Sequence, residues 1–565
     1  MLADDIKKAL HTAARATSWA EHAPQRWQDF PLETPKKTEH GHYATNMAMR
    51  LAKPLKRAPL QIAEELAAHV DTSGTIGSVQ VVKPGFINIR ASRAALAQVV
   101  RTVREQGPDY GKSEIGAGEK VQAEFVSANP TGPLSVGHGR LAAYGDSTAR
   151  HLAAAGVSVD REFYVTDVGN QIAKLKGTIV KIIQRETGID IELDENDYQG
   201  DYLIEPAKIV VEHIKADGNI IDNAFLKMKS NLEQLVKWVD GKESLIIKTF
   251  MTSQAAVLEK FNVTIDRWFR ESELYVKEDD GLDQVQRTLD KLRESGDMYE
   301  KDGAVWFASS RYLDEKDRVV QKSDGNKTYL MSDIAYIYNK LGVRKFDTAI
   351  YVWGADHHGY IDRIKSAGQA LGFSPERLEV IIVQLVSIKG ERMSKRRGNI
   401  IYLDELIDEV GADATRFFFL ARPPGTHCDF DMDLARDKSE NNPRYYLQYV
   451  HARICTMIGK AEVHGLAPDH ADLDRLGEPA ELDLLKLLAD FPWELQSAAL
   501  AREPHRVINY LTAVAGKFHS FYHDHKVIQP DDQALSRARL ALCDAVRTTF
   551  ANGLRVLGIS APEQM

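Results

Sequence analysis

The chain has 565 residues, of which 27% are charged and 44% are hydrophobic, and its formal net charge is −9. At roughly 100–200 residues per domain, this length predicts three or more domains. No stretch approaches the roughly 20 uninterrupted apolar residues of a membrane span. The N-terminus lacks a signal peptide's apolar core, and Asp4 and Asp5 argue against a transit peptide. We expect a globular cytoplasmic protein with no membrane partner.

The cysteine content is low and scattered. Cys428, Cys455 and Cys543 lie far apart, with no C-x-x-C pair among them. This pattern excludes a disulfide framework and a cysteine-based zinc site. The acidic net charge is a weak argument against a nucleic-acid partner, because binding needs only a local basic surface.

The first part of the chain, residues 1–112, is predicted to be a small α+β domain. The first residues, MLADDIKKALHTAARATSWAEH, have the pattern of an amphipathic helix. HYATNMAMRLAKPLKRAPLQIAEELAAHV predicts two helical segments broken at Pro54 and Pro59. VQVVKPGFINIR predicts two strands around a Pro-Gly turn. The Gly-rich, charged stretch RTVREQGPDYGKSEIGAGEK is interpreted as a linker.

The central region, residues 113–440, is predicted to be a Rossmann-like nucleotide-binding domain with a parallel sheet. Val121–Val126 is a short apolar strand, Ser127–Ser135 is a loop, and a helical pattern then stops at Gly156 before a second strand, Val157–Val165. Strand, helix and strand at this spacing form a βαβ unit. DTAIYVWGADHHG, IDRIKSAGQALG and LEVIIVQLVSI repeat the pattern downstream.

Two further regions are predicted to be helical. The charged stretch from about 171 to 327 is too long for a loop and is interpreted as a helical insertion. Residues 441–565 carry apolar residues at helical spacing, which predicts an all-α bundle. The predicted fold is thus a multidomain α/β protein.

Two glycine-bearing turns contain the residues with candidate roles in phosphate binding and catalysis. The first, SANPTGPLSVGHGR, follows a parallel strand and opens a helix, where free amides bind phosphate. Gly137 leaves room for a phosphate there, and His138 can donate a hydrogen bond to one. The second, GERMSKRRGN, has four cations between Arg392 and Arg397. Such a loop can stabilise departing pyrophosphate. Taken singly, each turn is more often structural.

Together the two turns resemble the two signatures of class I aminoacyl-tRNA synthetases, H-x-G-H and K-M-S-K-S. The stretches EFVSANPTGPL, FYVTDVGNQI, IYVWGADHHGYI and NPRYYLQYVHARI resemble the arginyl-tRNA synthetase family in particular. HGHYATNMAMRLAK, PGFINI and RVLGISAPEQM extend the resemblance over essentially the whole chain. It implies an arginine–tRNA ligase whose partners are ATP with Mg²⁺, L-arginine and tRNA(Arg). It also implies that activation requires bound tRNA.

The family's site residues carry over position by position. Catalytic roles fall to His138, Lys395 and Ser135, where Ser135 stands in place of the first signature histidine. The loop reads R-M-S-K-R, with Lys395 kept. These departures put the rate of activation in doubt. The residues implied for ATP binding are Gly137, His138, Gly354, Asp356, His357, Met393, Ser394 and Lys395.

A guanidinium needs carboxylates that accept its forked donors. The implied arginine-binding residues are Glu124, Asn129, Tyr329 and Asp333. If the resemblance to the family is set aside, Glu124 could be a surface strand residue and Asp333 could be a helix N-cap. Asp356, His357 and His358 do not have a usual zinc spacing, so we expect no metal site and no tightly bound cofactor.

The helical bundle resembles the family's anticodon-binding domain. Its mixture of aromatics and cations suits stacking on unpaired bases, and we expect tRNA contacts from Tyr445, Tyr446, Tyr449, His451 and Arg453. A helix face of this kind is also often core. The first domain is expected to contact the tRNA elbow, and the chain to act as a monomer.

Three other functions stay open on the sequence alone. A class I synthetase for another amino acid would share both turns. A nucleotidyltransferase of the same superfamily would not need the bundle that begins near Asn441. A non-catalytic tRNA-binding paralogue would keep RNA binding while Ser135 and the altered loop abolish turnover.

Overall fold

The computed structural model describes residues 2–23, 30–35, 38–226, 229–389 and 401–565. The N-terminal domain has three strands in the order β1-β3-β2, all antiparallel, and helices that pack against them. Its elements in chain order are α1 (Leu2–Arg15), β1 (Tyr43–Thr45), α2 (Met47–Leu55), α3 (Pro59–Ala68), β2 (Ile76–Val82), β3 (Phe86–Ala91) and α4 (Arg93–Gln106).

The predicted linker is wrong in its first part, because α4 runs through to Gln106. The Ser92 hydroxyl caps this helix by accepting a hydrogen bond from the Ala95 N–H at 3.1 Å. Leu96, Val100 and Val103 are buried on one side of the helix. Burial against other elements therefore outweighs the polar composition that favoured a linker.

The central domain is built on a five-stranded, fully parallel sheet. Its first βαβ unit follows the prediction closely, with β4 (Lys120–Phe125), α5 (Val136–Ala154) and β5 (Ser158–Val165). Gly145 of α5 lies so close to β4 that an added Cβ would be 2.1 Å from the Phe125 ring. A larger residue there would push the helix off the sheet.

The predicted helical insertion covers only part of the stretch from 171 to 327. Five helices follow β5: α6 (Asn170–Glu186), α7 (Ile204–Ala216), α8 (Asn223–Leu226), α9 (Lys229–Asp240) and α10 (Glu243–Lys260). After them comes β6 (Arg267–Arg270), which pairs with β5 as an edge strand of the central sheet. The prediction missed β6 because a four-residue edge strand gives almost no periodic signal.

A small antiparallel sheet completes this stretch and leads back to the central sheet. Its elements are α11 (Gln284–Glu294), β7 (Met298–Lys301), β8 (Ala304–Phe307) and β9 (Arg318–Gln321). The second βαβ region then provides α12 (Tyr329–Tyr338), β10 (Thr348–Gly354), α13 (Ile361–Ala370) and β11 (Leu378–Val383). The central strand order is β11-β10-β4-β5-β6. The order reverses between β4 and β10, which is where doubly wound sheets bind ligands.

The predicted strand LEVIIVQLVSI is two strands. β11 ends at Val383, and β12 (Val386–Lys389) pairs instead with β13 (Cys428–Asp431) in a separate two-stranded parallel sheet. The elements from here to the bundle are α14 (Leu403–Val410), α15 (Ala412–Leu420), β13 (Cys428–Asp431) and α16 (Met432–Arg436).

The C-terminal region is all-helical, as predicted. Its long helices are α17 (Pro443–Val463), α18 (Pro479–Ala501), α19 (His505–Asp524) and α20 (Gln533–Leu557). Direct bonds tie this bundle to the N-terminal domain, including Tyr110 Oη to the Leu488 carbonyl at 2.7 Å and Arg104 Nε to Asp544 at 2.9 Å. Within the described part of the chain, no helix is long and apolar enough to cross a membrane.

Candidate active site

A cavity of about 350 Å³ lies at the carboxyl ends of β4 and β10, where the strand order reverses. α12 contributes a wall, and Leu141 of α5 lines it too. Five of the residues expected from the sequence line this one cavity: Glu124, Tyr329, Asp333, Gly354 and His357. Residues that are far apart in the chain thus converge at the ligand-binding edge of the sheet.

The backbone directly after β4 is strained. Val126 and Ser127 have φ angles of 68° and 41°, in the left-handed region that β-branched residues rarely adopt. The kink turns the Ser127 hydroxyl so that it donates to Glu124 Oε1 at 3.2 Å and accepts from the Tyr164 N–H at 3.1 Å. The strain therefore fixes one oxygen of a cavity carboxylate.

The two expected carboxylates are held differently. The Tyr360 hydroxyl donates to Asp333 Oδ2, and burial raises the pKa of Asp333 to about 6. Glu124 is not free, because its Oε2 forms an ion pair with the ammonium of Lys340. Asp333 is not a helix N-cap either, since α12 begins at Tyr329 with Thr328 as its cap residue. Asp333 lies one turn into the helix, four residues after Tyr329.

The start of α5 is organised by a capping box. The Ser135 N–H donates to His138 Nδ1 at 3.1 Å, and the Ser135 hydroxyl accepts from the His138 N–H. Burial lowers the pKa of His138, so the ring is neutral near pH 7. Because Nδ1 accepts a hydrogen bond, the ring proton is on Nε2. His138 can therefore donate from Nε2, while Ser135 serves as helix cap.

The position of His138 relative to the cavity follows from helix geometry. His138 and Leu141 are three residues apart, so they share one face of α5. Leu141 lines the cavity, which sets His138 one turn nearer the helix start. Gly137 is exposed, and a Cβ built on it would have only the Ser135 hydroxyl nearby, at 3.6 Å. The helix start is thus open to a ligand.

The turn after β10 is exposed at its tip. Asp356, His357 and His358 are all exposed, and His357 Nε2 lies 3.5 Å from Asp356 Oδ2. Of these three side chains, that of His357 lines the cavity, 5.9 Å between ring centroids from Trp353. Among the residues that the structure describes, no group of three or more His, Cys, Asp or Glu is arranged to hold a metal ion.

Asn129 lies in the loop between β4 and α5 and is not among the residues that line the cavity. Its carbonyl accepts a hydrogen bond from Gln254 Nε2 at 3.0 Å, and the same amide donates to the Gly132 carbonyl at 2.9 Å. Gln254 is buried on α10. The insertion therefore fixes the loop that precedes the helix start.

The expected residues Met393, Ser394 and Lys395 lie outside the described residues. The chain beyond them is tied to the start of α5, because the Val136 N–H donates to the Ile401 carbonyl at 3.1 Å and the Leu403 N–H to the Leu134 carbonyl at 2.8 Å. The described residues on the C-terminal side of this segment are thus anchored beside His138.

Most of the residues expected to contact tRNA lie half-buried along α17. Tyr445 and Tyr449 stack with ring centroids 6.1 Å apart, and Tyr446 stacks on His519 at 4.8 Å. Arg453 lies over Tyr449 and over Tyr522, and its Nη1 donates to Tyr449 Oη at 2.9 Å.

His451 is placed differently from the other four residues. Its side chain is buried, and Nδ1 lies 2.9 Å from the Pro562 carbonyl. That contact fixes the C-terminal segment against α17, and an RNA contact from His451 stays a prediction. The signal read from the sequence was composition, and composition does not say which side of the helix faces the core.

Sequence reasoning missed several residues of the cavity. Tyr336, Tyr351 and Tyr360 line it, and Lys340 holds Glu124. A signal for Lys340 was present, because Asp333, Tyr336 and Lys340 recur at helical spacing. The pairing itself joins residues 216 positions apart, and no local pattern indicates it.

The strand order, the open start of α5 and the acid-lined cavity beside it define a class I aminoacyl-tRNA synthetase catalytic domain. A family model described as "tRNA synthetases class I (R), catalytic domain" matches residues 100–418. Models for the arginyl-tRNA synthetase N-terminal domain and the DALR anticodon binding domain match residues 1–91 and 447–565. The chain belongs to the arginyl-tRNA synthetase family.

Relatives agree with this assignment in sequence, and solved structures share the fold. An arginine–tRNA ligase of Oceanobacillus iheyensis is 45% identical, with 99% of this chain and 98% of the relative covered. One of Bacillus subtilis is 43% identical, with 100% and 99% covered. The Thermus thermophilus arginyl-tRNA synthetase structure has a TM-score of 0.76 at 23% identity, with 100% of each chain covered. A Mycobacterium tuberculosis methionyl-tRNA synthetase shares the fold at a TM-score of 0.55 and 14% identity, over 78% of this chain and 91% of its own.

Proposed function

We propose that this chain is an arginine–tRNA ligase that activates L-arginine with ATP and transfers it to the 3′ terminal adenosine of tRNA(Arg). The observation that carries the proposal is the pair of carboxylates, Glu124 and Asp333, in a cavity that opens beside the start of α5. Buried carboxylates suit a guanidinium, and a helix start suits phosphate. The family to which the chain belongs catalyses this reaction.

The side chain of arginine would enter the cavity with its guanidinium toward Asp333. The Asp333 carboxylate, steadied by Tyr360, accepts the forked donors, and Glu124 accepts a further hydrogen bond through Oε1. Tyr329 lines the cavity and is 53% exposed, so its ring can cover the guanidinium plane from the mouth. Asn129, in the adjacent loop, would orient the α-amino or carboxylate group.

ATP would lie across the sheet edge, with its adenosine by Gly354, Asp356 and His357. Its phosphates would meet the amides at the start of α5, where Gly137 leaves open space and His138 Nε2–H donates. The arginine carboxylate attacks the α-phosphorus, and the bond to pyrophosphate breaks. No side chain acts as nucleophile, since positioning and charge stabilisation suffice. Mg²⁺ would arrive with ATP and would be held mainly by its phosphates.

The segment that contains Met393, Ser394 and Lys395 would stabilise the departing pyrophosphate. Its attachment at Ile401 beside Val136 supports this role, since six residues of chain span at most about 20 Å. We expect Lys395→Ala to slow adenylate formation about 100-fold or more, as does loss of other transition-state donors, with little effect on tRNA affinity. Single-turnover activation measured by quench flow checks this expectation. An unchanged rate would exclude Lys395 from the chemistry.

The tRNA would be read by the helical bundle, with Tyr445, Tyr446, Tyr449 and Arg453 stacking on unpaired anticodon-loop bases. The N-terminal domain would contact the elbow, and activation would require the bound tRNA. We further propose that the chain acts as a monomer in the cytoplasm. Light scattering after size exclusion tests the first point and fractionation of cells the second.

The decisive experiment is aminoacylation of bulk tRNA with labelled arginine by the purified chain. ATP–pyrophosphate exchange across the twenty amino acids, with and without tRNA, accompanies it. We expect charging and exchange with arginine, and strong rejection of lysine, because a fork-shaped site leaves its acceptors unpaired around an ammonium. Exchange with a different amino acid would favour another specificity. tRNA binding without any charging would favour a non-catalytic paralogue.

A further inference from the structure

A fully buried lysine lies behind the arginine cavity. Lys340 is 0% exposed, and its Nζ lies 4.1 Å from the ring centroid of Tyr336 and 3.9 Å from that of Tyr351. The ammonium forms an ion pair with Glu124 Oε2. Taking an ammonium out of water costs several kcal/mol, so a cation kept here for stability alone would be expensive. Two aromatic faces and one carboxylate reduce that cost.

Lys340 belongs to an arrangement of paired charges. Tyr351, Glu124 and Glu162 lie side by side in register on β10, β4 and β5. Two carboxylates on neighbouring strands repel each other. Lys340 forms an ion pair with Glu124. Arg344, four residues further along the chain, donates from its two Nη atoms to the two carboxylate oxygens of Glu162, at 2.9 and 2.6 Å. Each acid thus has its own cation.

The two ion pairs differ in what they face. Glu124 lines the cavity, whereas Glu162 is fully buried and is not among the lining residues. The lysine of the cavity pair lies in a π-helical turn, Asn339–Val343, that directly follows α12. Such turns often mark functional positions, because they place a side chain where a regular helix would not.

The charge of the cavity depends on Lys340. Glu124 and Asp333 supply two negative charges, whereas the guanidinium of arginine supplies one positive charge. With the Lys340 ammonium against Glu124, the net charge of the three groups is −1, which matches that guanidinium. Without it, the negative charge of Glu124 would act uncompensated on Asp333 and favour the protonated form of that acid, and a protonated acid is a poorer acceptor for the guanidinium.

We propose that Lys340 is a positioning and specificity residue for arginine, which acts by holding the Glu124 carboxylate and by cancelling one of the two negative charges of the cavity. This inference rests on the proposed function. It assigns to Lys340 no contact with the substrate. The guanidinium meets Asp333 and Glu124 Oε1, and the Glu124 carboxylate is held by Lys340 at Oε2 and by Ser127 at Oε1.

The test compares Lys340→Met with wild type in steady-state charging, with arginine, ATP and tRNA varied in turn. We expect the arginine KM to rise about tenfold or more, as for loss of one partner of a buried pair, while the ATP KM changes less than about twofold. The acid limb of kcat/KM for arginine should move to higher pH, because the Lys340 ammonium no longer lowers the pKa of Asp333. Tyr360, Arg363 and Glu271, which also act on Asp333, are unchanged in this variant.

Arg344→Met is the matched control, because it breaks the neighbouring buried pair with Glu162 away from the cavity lining. We expect a comparable loss of thermal stability with the arginine KM within about threefold of wild type. The double variant Glu124→Gln/Lys340→Met should regain stability and the wild-type acid limb set by Asp333, yet keep a raised arginine KM. Glu124→Gln alone is the reference for this double variant: if Lys340 acts through Glu124, the two should have the same arginine KM, and a further rise in the double variant would mean that Lys340 acts on arginine by another route.

Each outcome decides the matter. An arginine KM and acid limb in Lys340→Met equal to those of wild type or of Arg344→Met would overturn the inference. Should Lys340→Met fail to fold, the double variant is compared with Glu124→Gln, and an arginine KM that differs between these two, or that equals wild type in both, overturns the inference. Failure of the proposed function looks different, since the unmodified chain would then charge no tRNA with arginine.

Discussion

The cavity between β4 and β10 and the aromatic face of α17 hold their charges in different ways. In the cavity, Glu124 is paired with a buried ammonium and Asp333 with a tyrosine hydroxyl. On α17, Arg453 is only partly buried and lies over two tyrosine rings. Fixed, desolvated charges select one small cation by geometry. Half-exposed rings and a cation suit bases, which stack in many orientations.

The largest effect is expected from Asp333→Asn. Removing one partner of a buried, charged hydrogen bond costs about 2–5 kcal/mol, so the arginine KM should rise about 100-fold. The ATP KM should stay near wild type, because the phosphate end of the site is separate. Asp362→Asn, an exposed acid on α13, is the control. An unchanged arginine KM would remove Asp333 from the guanidinium site.

We expect the same carboxylate to make arginine binding depend on pH. Burial raises the pKa of Asp333 to about 6, and only the ionised form accepts the guanidinium well. We expect kcat/KM for arginine to be flat above that pKa and to fall about tenfold per pH unit below it. The kcat/KM for ATP should not show this fall at low pH. A profile for arginine that stays flat down to pH 5 would contradict the assignment.

Arg453→Ala is expected to have a smaller effect, and only on the KM for tRNA. Stacking contacts are worth about 1–3 kcal/mol per base, so the tRNA KM should rise about tenfold, while the arginine KM stays the same. Arg506→Ala on α19 is the control, because Arg506 is exposed and pairs with Glu503. If both variants weaken tRNA binding equally, the effect is general charge and not a site on α17.

The smallest effect is expected at Ser135, where the structure shows a helix cap. Ser135→Ala should cost about 1 kcal/mol of stability, and Ser135→Gly only a few tenths, because glycine is tolerated at the N-cap. Calorimetry gives the stability, and charging rates should fall less than about tenfold for both. A much larger loss of rate with intact stability would mean that the hydroxyl itself takes part in activation.

The sequence predicted the local units of the fold well. Periodicity and turn residues placed the βαβ unit from β4 to β5 almost to the residue, since such signals arise from neighbours in the chain. The prediction failed for the linker, for β6 and for β12, where a long-range partner decides the structure. The sequence predicted that the C-terminal region is a helical bundle, but it did not show which side of α17 faces inward, so the burial of His451 was not foreseen.

By itself, then, the sequence determined which groups are available to this protein: a helix start that suits phosphate and carboxylates that suit a guanidinium. It also determined the family in which these groups occur together. Only the tertiary structure decided how these groups are held. Glu124 forms an ion pair with Lys340. The Ser135 N–H donates to His138 Nδ1, which leaves the ring proton of His138 on Nε2. Such pairings depend on strand register and helix packing, which bring together groups that no local pattern in the chain relates.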